Sequence, residues 1–255
     1  GLLMRRRGAA VPQPAVASAR GTPVSIDLSN CRLTMNFNWD FAPVIQNYRV
    51  LLAGVGMTAL LWVIAFPVSM VVGFAISLGA RSKFRSLSAF ARAYVEVFRN
   101  TPVLIQLIWF FYAFPILTGL QLTPVAAALF GLILNTSAYC SEIFRGGIAS
   151  IPNGQWEGAR SLGMGHAQAL RRVIVPQVIA RMLPAFTNRA IEAAKNTSIA
   201  SIIAVHELMY QGRALSDAFY RPLETLTTIA LIYFVLIYPG SYWASRYERR
   251  FPSRT

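Results

Sequence analysis

Two short polar series stand inside otherwise apolar stretches of this chain, and they mark where it could handle a solute. Asn135, Tyr139 and Glu142 fall at i, i+4 and i+7, which places them on one face of a helix. Asn188, Glu192 and Lys195 repeat that spacing further along, with Thr197 just beyond. A carboxylate accepts hydrogen bonds from an ammonium group, and a lysine ammonium donates to a carboxylate. A cavity lined by both series would therefore admit a zwitterion, with Glu142, Tyr139 and Asn135 at its ammonium. Lys195, Asn188 and Thr197 would face its carboxylate. Ionisable groups inside an apolar segment cost a few kcal/mol and generally face a bundle interior or a wet cavity. The same residues allow an architectural reading, in which Glu192 and Lys195 pair to hold helices together and Glu142 neutralises Arg145.

No catalytic constellation accompanies these series. His166 and His206 lie in different segments, and HExxH, GxSxG and the phosphate loop GxxxxGK[ST] are absent. The chain is thus expected to be no enzyme, to bind no cofactor or metal, and to hydrolyse no ATP itself. Cys31 and Cys140 form neither a disulfide framework nor a CxxC pair.

The elements that must position the polar series are long and apolar. Apolar residues make up 55% of the 255, and charged ones 13%, about half the share in a soluble domain. Mean hydropathy is +0.47. Residues 50–80, 101–141 and 225–245 contain no charged side chain, and about 20 apolar residues suffice to cross a bilayer. The middle run is long enough to cross twice, turning near Pro115, Gly119 and Pro124. These runs give spans within 50–80, from about Thr101 to Phe114, from Pro124 to about Ile143, and within 225–245. A more polar fourth span, 174–205, contains Arg181, Arg189, Glu192 and Lys195. The expected fold is an all-α polytopic membrane protein with about five spans.

A net charge of +14 raises the question of nucleic acid. The basic residues flank apolar runs instead of forming a face, so no nucleic-acid partner is expected. They crowd the loop after residue 80, the segment around 160–172 and the C-terminal flank. That asymmetry places the N-terminus outside and the C-terminus inside, in a cytoplasmic-type membrane. Residues 1–34 read as a polar arm without a signal-peptide core, Met35 reads as a start, 35–250 form the membrane domain and 251–255 a cytoplasmic tail.

Residues 154–176, GQWEGARSLGMGHAQALRRVIVP, are the longest polar, helix-friendly stretch between apolar runs. Gln155 to Arg160 suit a short helix, Gly163 and Gly165 interrupt it, and a second helix climbs back through Leu170, Val173 and Ile174. The result is a protruding knob on the cytoplasmic side; the plainer alternative is an ordinary helical connection. The stretch resembles the EAA loop of ATP-binding-cassette (ABC) importer permeases. Glu157, Gly158 and Ala159 stand for its opening, Gly163 for its glycine, and Val173, Val175 and Pro176 for its ending. FRNTPVLIQL, NTSAYCSEIFRGGIASIPNGQWEGA and KNTSIASIIAVHEL resemble the permeases of the polar-amino-acid uptake family within those importers. That resemblance implies a coupling helix, with Glu157, Ala159, Gly163 and Pro176, seated on a separate ATPase subunit that holds ATP and Mg²⁺. It further implies a second permease subunit, identical or homologous, and an extracytoplasmic amino-acid-binding protein. ATP-driven closure would bring the knobs together and swing the cavity from inside to outside. Two rivals remain open from sequence. One is the supporting half of a heterodimeric permease that does not touch substrate; the other is a proton-coupled secondary transporter working through Glu142 and Glu192.

Overall fold

The computed structural model describes residues 24–27, 32–35 and 38–250. The chain divides at residue 40 into two units. In the first, Val24–Asp27 (β1) pairs antiparallel with Arg32–Met35 (β2), with Val24 opposite Met35 and Asp27 opposite Arg32. The sequence reading assigned this arm no regular structure; the hairpin follows the period-two alternation of Val24, Ile26 and of Leu33, Met35. Most of the 1–34 arm, and the 251–255 tail, lie outside the described residues.

The second unit is helical. A short helix, Ala42–Gln46 (α1), leads into Tyr48–Ala80 (α2), 33 residues or about 50 Å long. The buried face of α2 is mostly small residues at helical spacing, Gly54, Thr58, Ala65, Ser69, Gly73 and Ser77, with Leu51 and Leu61 among them. Its exposed face carries Leu52, Leu60, Val63, Val68, Val71, Phe74 and Leu78. Large apolar groups outside and small ones at the contact invert the pattern of a water-soluble helix. Lipid offers no hydrophobic drive between helices, so close approach of small residues supplies the packing.

Arg85–Asn100 (α3) and Val103–Ile108 (α4) follow. Next come a π-helical turn over Trp109–Ala113, Phe114–Thr118 (α5), and Pro124–Ala149 (α6). Asn153–Ser161 (α7) and His166–Ala169 (α8) form the knob. A second π turn, Leu170–Ile174, joins α8 to Val175–Asn196 (α9), which runs into a 3-10 segment, Thr197–Ile203. Leu208–Phe219 (α10) and Pro222–Arg250 (α11) complete the unit. Each π turn stands just before a proline, Pro115 or Pro176. A missing N–H and a ring clash at those positions shift the hydrogen-bond register by one residue.

Tyr48–Ala80, Pro124–Ala149 and Pro222–Trp243 are long and apolar enough to cross a membrane. They are the expected first, third and fifth spans. The second is not a single helix: Arg85–Asn100 and Val103–Thr118 qualify only as a pair bent by 106°. The third continues past Ile143 to Ala149, because Glu142 and Arg145 pair along the helix and so tolerate its last turns. The fourth, α9, has the length of a span, but its charged groups keep it below the apolarity of the other three.

Candidate functional site

The site is built around the break between α3 and α4. Pro102 disfavours helix at Thr101, where α3 ends in an extended residue, so the last carbonyls of α3 lose their intrahelical donors. Side chains take their place. Asn135 Nδ2 donates to the Phe98 carbonyl at 3.0 Å and Tyr139 Oη to that of Arg99 at 3.3 Å. Gln106 Nε2 donates to Phe98 O at 3.0 Å and Thr101 O at 2.9 Å. Irregular backbone at membrane depth survives only where protein groups or a wet cavity satisfy it. The Asn135, Tyr139, Glu142 face of α6 is therefore the surface that holds the broken span.

Arg189 of α9 joins that face to the second series. It is only 4% exposed, and its guanidinium sits 3.9 Å from the centre of the Tyr139 ring. Nη2 donates to Asn135 Oδ1 at 2.9 Å and Nη1 to Glu192 Oε2 at 2.8 Å. Glu142 receives Arg145 through two bonds, 2.9 and 2.6 Å, and lies 3.4 Å from Arg99 Nη1. The outcome is a string of alternating groups, Arg145, Glu142, Arg99, Tyr139, Arg189 and Glu192. Its buried middle is anchored by Asn135, while Arg99 is 39% and Glu192 58% exposed.

The first predicted series thus stays together, and the second divides. Glu192 is the exposed end of the string, and Asn188 is exposed beside it. Glu192 pairs with Arg189, not with Lys195 as the architectural reading had it. Both cations lie three residues from Glu192, and the α6 contacts of Arg189 select it. Lys195 instead opens onto a cavity against α11, and Thr197 is buried with its hydroxyl on the Ala194 carbonyl at 2.7 Å. Glu142 neutralises Arg145 as the alternative expected, and holds Arg99 as well. Sequence reasoning left out Arg99, Gln106 and Arg189. An arginine three residues before Glu192 in a span, and the Asn-Thr-Pro break, were the available signals.

On the knob, Gly163 has φ +75°. Met164 N–H bonds Ala159 O at 3.1 Å and Gly163 N–H bonds Arg160 O at 2.9 Å, the pair of bonds that closes a helix on a left-handed glycine. Ala159 is buried, Glu157 and Leu162 are exposed, and Trp156 stacks on His166 at 5.2 Å. Gln177 Nε2 donates to Gln155 Oε1 at 2.9 Å, which ties the knob to α9 just after Pro176.

Glu207, another residue outside the predicted set, is fully buried at the start of α10. It accepts from Met209 N at 2.9 Å and Tyr210 N at 2.8 Å. Tyr233 Oη of α11 donates to it at 2.8 Å and Thr58 Oγ1 of α2 at 3.4 Å. One carboxylate therefore fastens α10 to two spans.

Apolar helices of membrane length, a span broken against a polar string and a polar knob between spans describe a polytopic helical membrane subunit. Residues 70–252 match the family described as binding-protein-dependent transport system inner membrane component. The arginine transport system permease protein ArtQ of Bacillus subtilis (strain 168) is 32% identical over 85% of this chain and 99% of its own length. The L-cystine transport system permease protein TcyB of the same organism is 35% identical over 83% and 90%. A chain from the crystal structure of an amino acid ABC transporter with histidines superposes with a TM-score of 0.78. It is 35% identical, and the match covers 84% of this chain and all of that one. The chain belongs to this inner-membrane transport family, among the amino-acid ABC transporter permeases. Such permeases are membrane subunits, not enzymes.

Proposed function

We propose that the chain is the membrane-spanning subunit of an ATP-driven importer for a polar amino acid delivered by an extracytoplasmic binding protein. The observation that carries this reading is the polar string at the α3–α4 break, open at Arg99 and at Glu192. Arg99 would receive the substrate carboxylate and Glu192 its ammonium, with Tyr139 and Asn188 beside them. Lys195 was the expected carboxylate donor, but Arg99 lies in the same group as Tyr139 and Glu142. The names of the relatives, arginine and L-cystine permeases, support an amino-acid substrate. Asn188 and Glu192 face outward at membrane depth, where polar groups against lipid are costly. A second permease subunit, identical or homologous, would cover them and enclose a path. ATP and Mg²⁺ would reside on the ATPase subunits, which would seat the 154–176 knob on the cytoplasmic side. The N-terminus is then outside and the C-terminus inside.

In the complex reconstituted with its ATPase and binding protein, Arg99→Gln and Glu192→Gln should each lower uptake about tenfold, the loss of one charge-assisted hydrogen bond. Basal ATP hydrolysis should persist, because the knob is untouched. Wild-type uptake in both variants would remove the string from the path. A second reading, the supporting half of a heterodimer, is favoured by Glu142, whose carboxylate is already engaged by Arg145 and Arg99. On that reading Glu142→Gln lowers folded yield while uptake per folded complex is unchanged.

The knob makes a separate prediction. Gly163→Arg should leave insertion intact, cost about 1 kcal/mol from the left-handed backbone, and weaken ATPase co-purification. A Cβ added at Gly163 meets nothing within 4 Å inside the subunit, which leaves room for a larger side chain to project toward whatever the knob touches. Full recovery of ATPase with normal transport would rule out the knob as the coupling element.

A further inference from the structure

α3 carries an exposed apolar stripe with cations at one end and a cavity at the other. Leu87, Phe90 and Val97 share one side of the helix, and Phe84 stands just before it, all largely exposed. Arg85, Arg92 and Glu96 take a different face.

The stripe begins on the knob side of the membrane. α2 and α6 run in the same direction, because Ser69 Oγ bonds Ile133 O at 3.2 Å and Gly73 lies against Cys140. The end of α2 therefore lies level with the end of α6, which leads into the knob. Ser88 Oγ at the foot of α3 bonds Ala80 O at 2.9 Å. Higher up, Tyr94 Oη bonds Leu134 O at 2.9 Å and Asn135 Nδ2 bonds Phe98 O at 3.0 Å. Leu134 and Asn135 fall near the middle of Pro124–Ala149, so α3 climbs from one membrane surface to about mid-depth. Leu87 to Val97 covers about 15 Å along the helix, half of a hydrocarbon core of about 30 Å. The stripe is one leaflet tall.

At its top the chain turns by 106° into α4. A cavity of about 270 Å³ lies inside this elbow, between Val97, Phe98 and Thr101 on one arm and Ile105, Trp109 and Phe110 on the other. Its polar neighbours are already engaged. The Thr101 hydroxyl bonds Val97 O at 2.8 Å, and Gln106 Nε2 bonds the Phe98 and Thr101 carbonyls. Gln106 Oε1 has no partner but is itself buried. The elbow therefore presents hydrocarbon. At the foot, Arg81, Lys83 and Arg85 are exposed, and none pairs with an acidic side chain among the described residues. Arg92, further up, is turned onto Ser88.

We propose that this face holds one anionic phospholipid of the knob-side leaflet, with its phosphate at Arg81 and Lys83 and the end of one acyl chain in the elbow under Ile105 and Trp109. The height of the stripe matches an acyl chain of one leaflet, and the unpaired cations match an anionic headgroup. A neutral lipid would cover the stripe and leave the cations unanswered. A polar solute would find no free hydrogen-bonding group in the elbow. The inference needs only the spans and the knob side, and is independent of which solute the subunit carries.

The test employs the assembled transporter in bilayer discs of phosphatidylcholine. Two probes with the same diazirine at the end of an acyl chain are compared at equal mole fraction, one a phosphatidylglycerol and the other a phosphatidylcholine. After photolysis, adducts of the anionic probe should concentrate on Val97, Ile105 and Trp109, at least about fivefold above those of the zwitterionic probe. Lys83→Gln should lower labelling by the anionic probe about fivefold, the contribution of one cation near a membrane surface. It should leave the zwitterionic probe and the folded yield unchanged. Ile105→Trp, at an exposed position, should remove the labelling at Val97 while Lys83 remains. Equal labelling by the two probes in wild type would overturn the proposal, since the stripe would then meet bulk lipid. Absence of adducts from both probes would also overturn it, and would assign the elbow to a protein partner.

Discussion

Gly73→Leu should abolish the folded subunit, whereas Gly56→Leu, on the same helix, should leave it unchanged. A Cβ at Gly73 would stand 2.7 Å from both Cys140 Cβ and the Ser137 carbonyl oxygen of α6. Two of the closest atoms there are backbone or near it, so no rotamer change relieves the clash. The helices would have to separate along the small-residue seam that continues through Ala65, Ser69 and Ser77. Overpacking costs 1–3 kcal/mol where side chains can yield, and here they cannot, so about 3 kcal/mol or more is expected. Gly56 meets nothing within 4 Å and faces outward, so a leucine there gains lipid contact. The measurement is monodisperse yield and thermal midpoint in detergent for the two variants side by side. Equal behaviour would mean that α2 and α6 do not pack as described.

The same seam shows what was legible in the sequence and what was not. Charge-free runs announce their spans because nothing else tolerates so many apolar residues in a row, and the knob announces itself by two glycines between helix-forming segments. The spacing of Asn135, Tyr139 and Glu142 correctly placed them on one face. What that face meets was hidden. Arg99-Asn100-Thr101-Pro102 signals a helix end, but the 106° bend depends on Asn135, Tyr139 and Gln106 being present to cap stranded carbonyls from elsewhere in the chain. Glu192 had cations three residues away on either side, and only the contact of Arg189 with Asn135 and the Tyr139 ring decides between them. Long-range partners carry no local periodicity. Glu207 was hidden for a related reason: its partners Thr58 and Tyr233 are distant in sequence, and nothing beside it marks it as buried.

Glu207 carries the other large expected effect. Glu207→Ala would orphan the Met209 and Tyr210 N–H groups and the Tyr233 hydroxyl at once, and leave Thr58 Oγ1 with only the Leu208 N–H. Loss of a helix cap costs about 1 kcal/mol and unpaired buried donors about 1–3 more, so destabilisation of about 3 kcal/mol is expected. Glu207→Gln should be milder but not neutral: the amide oxygen still accepts from one backbone N–H, while the amide nitrogen faces the other, Met209 or Tyr210, which loses its acceptor. The comparison also isolates a pH effect. Burial pushes the Glu207 carboxyl above the usual carboxylate range, and its bonds from Met209, Tyr233, Tyr210 and Thr58 pull it down only in part. A raised folded value means the folded state holds this proton more tightly than the unfolded chain does. Its contribution to stability is therefore complete below the ordinary glutamate value of about 4.3. That contribution is lost as pH rises through the higher folded value. His206 is adjacent, exposed and packed on Tyr210 with ring centres 4.5 Å apart, and it is common to wild type and Gln variant. Subtracting the two pH profiles of thermal midpoint leaves Glu207 alone. The difference should favour wild type on the acid side and shrink toward neutral pH; a flat difference would mean that Glu207 is not buried against α2 and α11 as described.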